Sequence, residues 1–255
     1  MITLHNVTAY YRSQCVLKEV SLHVASGERV AVVGPNGAGK SSLLRVLTGL
    51  LSAQGRVQLA GRDLHRLSAR ERSMLISVVP QEIVSDIPYK ADDFVLLGRT
   101  AALSRLGGPS RDDLKAVQEA MILTETWALR ERRLPEMSGG ERQRLALALA
   151  LAAHPKILLL DEPTSHLDLR HRAEMMQRLI KLNQEQQITL LMVVHDLTLA
   201  SQYFDRIILL SDGQKIADGP VRDVMTPERL EAAFHCPISV TPLPNTSAIC
   251  AVARP

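Results

Sequence analysis

The sequence predicts an α/β fold: a mainly parallel sheet flanked by helices, with an antiparallel β edge at its start and a helical insertion in its middle. Three observations predict it. Apolar runs at 30–33, 157–160 and 190–194 alternate with helix-length stretches, the order that builds a parallel sheet. Two strand-like segments, 2–8 and 15–24, precede the first of these runs and read as a paired antiparallel edge. From about residue 82 to 137 the strand pattern gives way to helix and loop.

Each element has its own signal. Ser26-Gly27-Glu28 turns the second edge strand into the strand 29–33. A glycine-rich segment follows, then a helix over 40–50 that ends near Gly49, and strands around 55–60 and 75–79. In the insertion, Gly107-Gly108-Pro109-Ser110 breaks the chain before a helix whose period puts Leu114, Val117, Ala120 and Met121 on one face. The core resumes with a helix at 139–153, a strand at 157–161, a helix at 170–186 and a strand at 188–194. Ser211-Asp212-Gly213 lies between two apolar runs as an Asp-Gly hairpin turn, and a helical pair covers about 220–234. The last twenty residues, with Pro237, Pro242, Pro244 and Pro255, are too short for a second domain and carry no legible chemistry.

Composition narrows the class. With 255 residues and 46% hydrophobic content, the chain has ample material for a packed core. Its longest apolar stretches fall far short of the roughly eighteen residues of a membrane span, and Met1-Ile2-Thr3-Leu4-His5 opens without a secretion-signal pattern, so a cytosolic compartment is expected. Cys15, Cys236 and Cys250 are odd in number, widely spaced and in no Cys-x-x-Cys pair, which argues against a disulfide framework and a zinc site. A net charge of +3 is mild, the cluster Arg130-Glu131-Arg132-Arg133 is interrupted by an acid and reads as a solvated helix end, and aromatic residues are only 3%. Nucleic acid is therefore not an expected partner.

The segment Gly34-Pro35-Asn36-Gly37-Ala38-Gly39-Lys40-Ser41-Ser42 predicts a phosphate site. Glycines at 34, 37 and 39 let successive N–H groups turn inward around phosphate oxygens. The helix that starts at about Lys40 adds its N-terminal amides and positive dipole end. Lys40 is placed to reach the β- and γ-phosphates, and the Ser41 hydroxyl to ligate Mg²⁺. Such a loop serves many kinds of nucleotide enzyme and does not choose among them.

Asp161 and Glu162 follow the apolar strand 157–160, and ligands bind at the C-terminal ends of strands in open α/β sheets. Asp161 suits the Mg²⁺ shell, directly or through water, and Glu162 is left to orient or deprotonate an attacking water.

Upstream of Asp161-Glu162-Pro163-Thr164-Ser165 lies Met137-Ser138-Gly139-Gly140-Glu141-Arg142-Gln143-Arg144. This resembles the signature segment of the ATP-binding cassette family, in which Met137 stands where leucine is usual, a swap that conserves volume. The resemblance spans roughly residues 2 to 230 and extends to further positions. Gln81 matches the family's γ-phosphate and metal sensor, His195 its switch histidine, and Asp168 the loop that crosses to the partner subunit, where His166 replaces a commoner small residue. Alone, these read as a loop amide, a strand-end imidazole and a helix-capping acid. Tyr11 falls where the family stacks an aromatic on adenine, with Tyr10, on the opposite face of the strand, as the alternative.

The resemblance implies a P-loop ATPase domain over 1–235, with a RecA-like core of 1–81 and 138–235, a helical subdomain of 82–137 and a short tail, 236–255. It implies ATP and Mg²⁺ as cofactors and a head-to-tail dimer. In that dimer each ATP is held by residues 34–42 of one copy and by Ser138, Gly139, Gly140 and Asp168 of the other. The stretches 92–99 and 219–230 resemble importers of iron-siderophore, haem and cobalamin. The implied partners are membrane permease subunits, docked beside Gln81, and indirectly an external binding protein. The implied location is the cytoplasmic face of a bacterial inner membrane.

Overall fold

The computed structural model describes residues 1–81, 87–103, 108–165, 167–244 and 248–253. His166, Gly107 and Pro255, and the parts of the insertion at 82–86 and 104–107, lie outside the described residues. The chain forms two compact units, Met1–Leu67 with Thr189–Pro255, and Ser68–Ile188.

In chain order the first unit supplies β1 (Ile2–Tyr11), β2 (Gln14–Val24), β3 (Arg29–Val33), α1 (Lys40–Leu47), β4 (Ala53–Leu59) and β5 (Arg62–Asp63). The second holds α2 (Ala69–Ser73), β6 (Ile76–Val79), α3 (Ala91–Leu96), α4 (Arg111–Leu123), α5 (Gly139–Ala152), β7 (Ile157–Asp161) and α6 (Leu169–Gln186). The chain then returns to the first unit with β8 (Thr189–Val193), α7 (Leu197–Tyr203), β9 (Arg206–Ser211), β10 (Gln214–Pro220), α8 (Val221–Val224), α9 (Pro227–Phe234), β11 (Ile238–Pro242) and β12 (Ile249–Ala253).

In the first unit, β2, β1, β4 and β5 form an antiparallel sheet in that order. Ile2, Leu4, Val7 and Ala9 of β1 are buried, and the change of step between Leu4 and Val7 coincides with a positive φ at Asn6, whose N–H donates to Ser21 Oγ at 2.8 Å. β3 pairs in parallel with β8 on one side and β9 on the other, and Val30–Val33 are all buried, as a strand covered on both faces requires. β10 closes that edge antiparallel to β9 through a turn with positive φ at Asp212 and Gly213, the type I′ geometry that Asp-Gly favours. Arg206 bridges Glu28 at 2.9 Å and Asp218 at 2.8 Å, which raises its pKa further and ties β9 to β10 and to the start of β3.

In the second unit, β6 and β7 pair in parallel, Ile76 opposite Ile157 through Val79 opposite Leu160. α5 packs on α3 and α4, and a Cβ at Gly98 would meet Leu149 O at 2.2 Å, so the chain after α3 runs directly against the backbone of α5. α4 is capped by Ser110, which exchanges hydrogen bonds with Asp113, and Arg99 reaches both Asp113 at 2.9 Å and Ala152 O at 3.0 Å.

One expectation needs correction. Leu114 is 53% exposed, and the buried face of α4 is Asp113, Ala116, Val117, Ala120 and Met121, because the cap and Arg99 hold Asp113 inward. In the tail, β11 and β12 pair antiparallel. The cluster 130–133 follows a single 3₁₀ turn, Trp127–Leu129, with Arg130 stacked 5.1 Å from the Trp127 ring centroid. Among the described residues no helix is long and apolar enough to cross a membrane. All three cysteines are free thiols.

Candidate functional site

The predicted residues fall on both units. In the first, residues 34–42 form one loop and helix start between β3 and α1. Gly34 has φ +148° and a Cβ there would lie 2.0 Å from Leu210 O; Gly39 has φ +96° and a Cβ would lie 2.5 Å from Val16 O. Only glycine fits either place. Gly37, at φ +79°, faces open space, so its φ requirement is conformational alone. Gly39 is also the N-cap of α1 and offers no side-chain oxygen, an arrangement that presents first-turn amides to an anion. Pro35 and Ala38 close a turn inside the loop, the Ala38 N–H donating to Pro35 O at 3.2 Å.

Lys40 is 5% exposed, and its Nζ donates to Gly34 O at 2.8 Å and Pro35 O at 2.9 Å. The ammonium is thus drawn against the loop's own carbonyls. Ser41 and Ser42 are half-buried on the first turn, and Asn36 is exposed at the loop's crest. The loop is braced from behind by the β9–β10 turn, where Gly213 N–H donates to Ala38 O at 3.2 Å and Gly213 O accepts from Lys18 N at 2.8 Å. That brace has no signature of its own in the sequence beyond Asp212-Gly213.

Tyr11 ends β1 opposite Gln14 and is exposed, as is its neighbour Tyr10. His195 is exposed just past β8, between Val194, whose N–H donates to Val32 O at 3.0 Å, and Asp196, which caps α7.

In the second unit, Gln81 and Glu162 are brought together: Gln81 Nε2 donates to Glu162 Oε2 at 3.2 Å. Each follows the C-terminal end of one of the parallel strands β6 and β7, and Asp161 is the last residue of β7. Glu162 has φ +50°, a conformation rare for a side-chain-bearing residue and concentrated at functional positions. Ser138, with Gly139 and Gly140, opens α5 as expected. Ser138 Oγ accepts from Glu141 N at 3.3 Å, and Glu141 Oε2 accepts from Ser138 N at 2.7 Å, which holds the Glu141 carboxyl below its usual pKa. Accepting a bond leaves the serine hydroxyl a donor. Asp168 caps α6, taking the His171 N–H at 2.8 Å, a bond that lowers its pKa, with His171 Nδ1 at 2.9 Å.

Sequence reasoning passed over Gln143. It is 5% exposed on α5, and its Nε2 donates to Pro80 O at 3.3 Å, which ties the helix opened by Ser138 to the residue before Gln81. Its signal was a polar residue one turn before the buried Leu147.

The donor set suits a polyphosphate with a hard cation. In the first unit the glycine-built loop and Lys40 offer the donor types that suit phosphate, and Ser41 offers a hydroxyl oxygen; in the second unit Asp161 offers a carboxylate oxygen, the ligand type hard cations such as Mg²⁺ take. Among the described residues there is no cluster of three His, Cys, Asp or Glu that could hold a metal.

Comparison with known proteins decides the family. The profile described as ABC transporter matches residues 17–165, from β2 through the segment after β7. The chain belongs to the ABC transporter family. Two relatives illustrate its place there. It is 39% identical over 239 residues to the hemin import ATP-binding protein HmuV of Thermobifida fusca, covering 92% of this chain and 82% of that protein. It is 37% identical over 235 residues to the cobalamin import ATP-binding protein BtuD of Halobacterium salinarum, covering 92% of this chain. The chain spans 58% of that relative's length. A solved metal-chelate type ABC transporter in an inward-facing conformation superposes with a TM-score of 0.86 at 28% identity, over 100% of this chain and 97% of that one. The dimeric ATP-binding cassette MJ0796, in a post-hydrolysis state bound to ADP and Pi, gives a TM-score of 0.78 at 31% identity, over 87% and 99%. The stretch matched by the ABC transporter profile contains both the glycine-rich loop 34–42 and the Ser138-Gly139-Gly140 segment.

Proposed function

We propose that this chain is the ATP-hydrolysing subunit of a bacterial importer, and that two copies bind two MgATP head to tail. The observation that carries the chemistry is the 3.2 Å bond from Gln81 to Glu162. The amide bond directs the carboxylate, an acceptor-only group when ionised and of the type that takes a proton from water.

In this reading Lys40 and the amides of 34–42 bind the β- and γ-phosphates, and Tyr11 stacks on adenine. Ser41, Gln81 and Asp161 hold Mg²⁺, directly or through water; when bound, the ion neutralises charge on the transferring phosphoryl group. His195 contacts the γ-phosphate. The second copy supplies Ser138, Gly139, Gly140 and Asp168. Glu162 accepts the proton of the attacking water. Catalysis is positioning and electrostatics, and loss of the γ-phosphate removes charge that both copies grip, so the dimer opens.

The core is then 1–81 with 138–235, the helical subdomain 82–137. An open groove of 610 Å³ lined by Arg70, Leu97, Gly98 and Leu149, and by Ile76 and Val78 of β6, the strand that runs toward Gln81, supports docking of a permease helix on that side. The names of the relatives, hemin and cobalamin importers, and of the metal-chelate transporter support an iron-siderophore, haem or cobalamin cargo. With such a cargo, an external binding protein delivers the chelate to the permease, and this chain sits peripherally on the cytoplasmic face of the inner membrane. The test is to purify the native membrane complex and measure ATP hydrolysis with each chelate and its binding protein. Stimulation by one chelate is expected. Stimulation by none of them, or copurification with ribosomes or DNA in place of a permease, contradicts the importer reading.

A further inference from the structure

A two-stranded hairpin is only marginally stable by itself in water, so what β11 and β12 pack on is informative. β12 lies against α7, and one side chain joins them. Ser201, 4% exposed, accepts the Ile249 N–H at 2.8 Å, and its proton has Ile249 O and Thr198 O as acceptors, each at 2.9 Å. A single hydroxyl thus meets both main-chain groups of Ile249, in the place a third strand would occupy. β11 is tied separately, Ile238 N–H donating to Glu231 Oε1 at 2.8 Å.

The helix so clasped is the one that follows His195. α7 has 7 residues, too few to hold a helical position on local propensity, so its tertiary contacts place it. Those contacts are the buried Leu199 and Ala200, and Ser201 on β12. The Asp196 cap, with Leu199 N–H donating to Asp196 Oδ1 at 3.1 Å, passes that placement to the residue before it. His195 therefore stands between a strand end fixed at Val194 and a helix held both against β3 and by the tail.

We propose that the paired strands β11 and β12, acting through Ser201, set the position of α7 and with it His195, which makes Ser201 a positioning residue for ATP hydrolysis. The proposal rests on the reading of His195 as a γ-phosphate contact. Displacing a catalytic group by about 1 Å can cost about a hundredfold in rate, and loss of one clasp among several contacts costs less.

The experiment compares ATP turnover by the full-length chain as wild type, Ser201→Ala, Ser201→Thr, His195→Ala and the Ser201→Ala/His195→Ala pair. Wild type is expected to hydrolyse ATP and His195→Ala to lose most of that activity. Ser201→Ala should lower kcat about five- to tenfold while KM for ATP stays within about twofold, since residues 34–42 are held by other bonds. Ser201→Thr, which keeps the hydroxyl, should recover the rate, and the pair should be no slower than His195→Ala alone. The His195 ring resonance in a proton–carbon NMR spectrum should move in Ser201→Ala, whatever the fate of the threonine variant. A kcat unchanged in Ser201→Ala, an unmoved His195 resonance, or losses that add in the pair would overturn the clasp while leaving the ATPase reading intact. An inactive wild type, or full activity in His195→Ala, overturns that reading and the proposal with it.

Discussion

Gly39 meets two demands at once, a φ of +96° and a Val16 carbonyl 2.5 Å from where a Cβ would stand. An alanine there meets neither, and the left-handed backbone alone costs about 1–2 kcal/mol. Gly39→Ala is therefore expected to weaken ATP binding by about tenfold or more, read by titration with a fluorescent ATP analogue, and unchanged affinity would count against the loop geometry. Gly37, with open space around it, should tolerate alanine better. The sequence named all three glycines alike. Which of them is locked by space as well as by φ depends on Val16 and Leu210, residues of other strands that no local pattern identifies. Gln81 was legible from the family resemblance and Glu162 from its place after the apolar strand 157–160, but their hydrogen bond across 81 positions was not. Gln143 was missed because a buried polar residue on a helix announces itself only through its partner, here the Pro80 carbonyl.

The elements were legible where one physical cause dominates. β3 and β7, buried on both faces, are near-continuous apolar runs, and the hairpin turn is fixed by Asp212-Gly213. Reading failed where side-chain chemistry overrides apolar periodicity. On α4 the acid Asp113 points inward because Ser110 and Arg99 bond it, and Leu114 is left outside. That arrangement predicts a pH dependence. The Ser110 bonds, with Arg99, lower the Asp113 pKa from 3.8 to about 2, so its stabilising effect is present above about 4 and is lost as pH falls toward 2. Acid unfolding followed by circular dichroism should be less steep over that window in Asp113→Asn; identical profiles would contradict the assignment. Gly98 gives the complementary test of packing. Gly98→Val must separate the α3 end from α5, where Leu149 O lies 2.2 Å from a Cβ, and is expected to destabilise the fold by about 2–3 kcal/mol in urea titration. The terminal hairpin was invisible for another reason: its strands are short and half exposed, the first ends on Pro242, and Ser201 supplies a bond that alternation cannot reveal.

At the scale of the whole molecule, family membership was legible because its motifs occur in order along most of the chain, while the partners act through surfaces. Photocrosslinkers at residues 87–100 should trap the permease, and capture confined to the opposite face of the subunit would contradict docking beside Gln81. In the importer proposed above, selectivity is assigned to the permease and its binding protein, and no residue of this chain is assigned to the cargo. The central claim is that Glu162 activates water for an ATP shared by two copies. It is tested most directly by comparing Glu162→Gln with wild type for ATP turnover, and by light scattering in ATP and Mg²⁺. The account predicts that the variant loses at least about a hundredfold in turnover and accumulates as a dimer. Turnover within a few-fold of wild type, or a variant that stays monomeric in ATP, would contradict it.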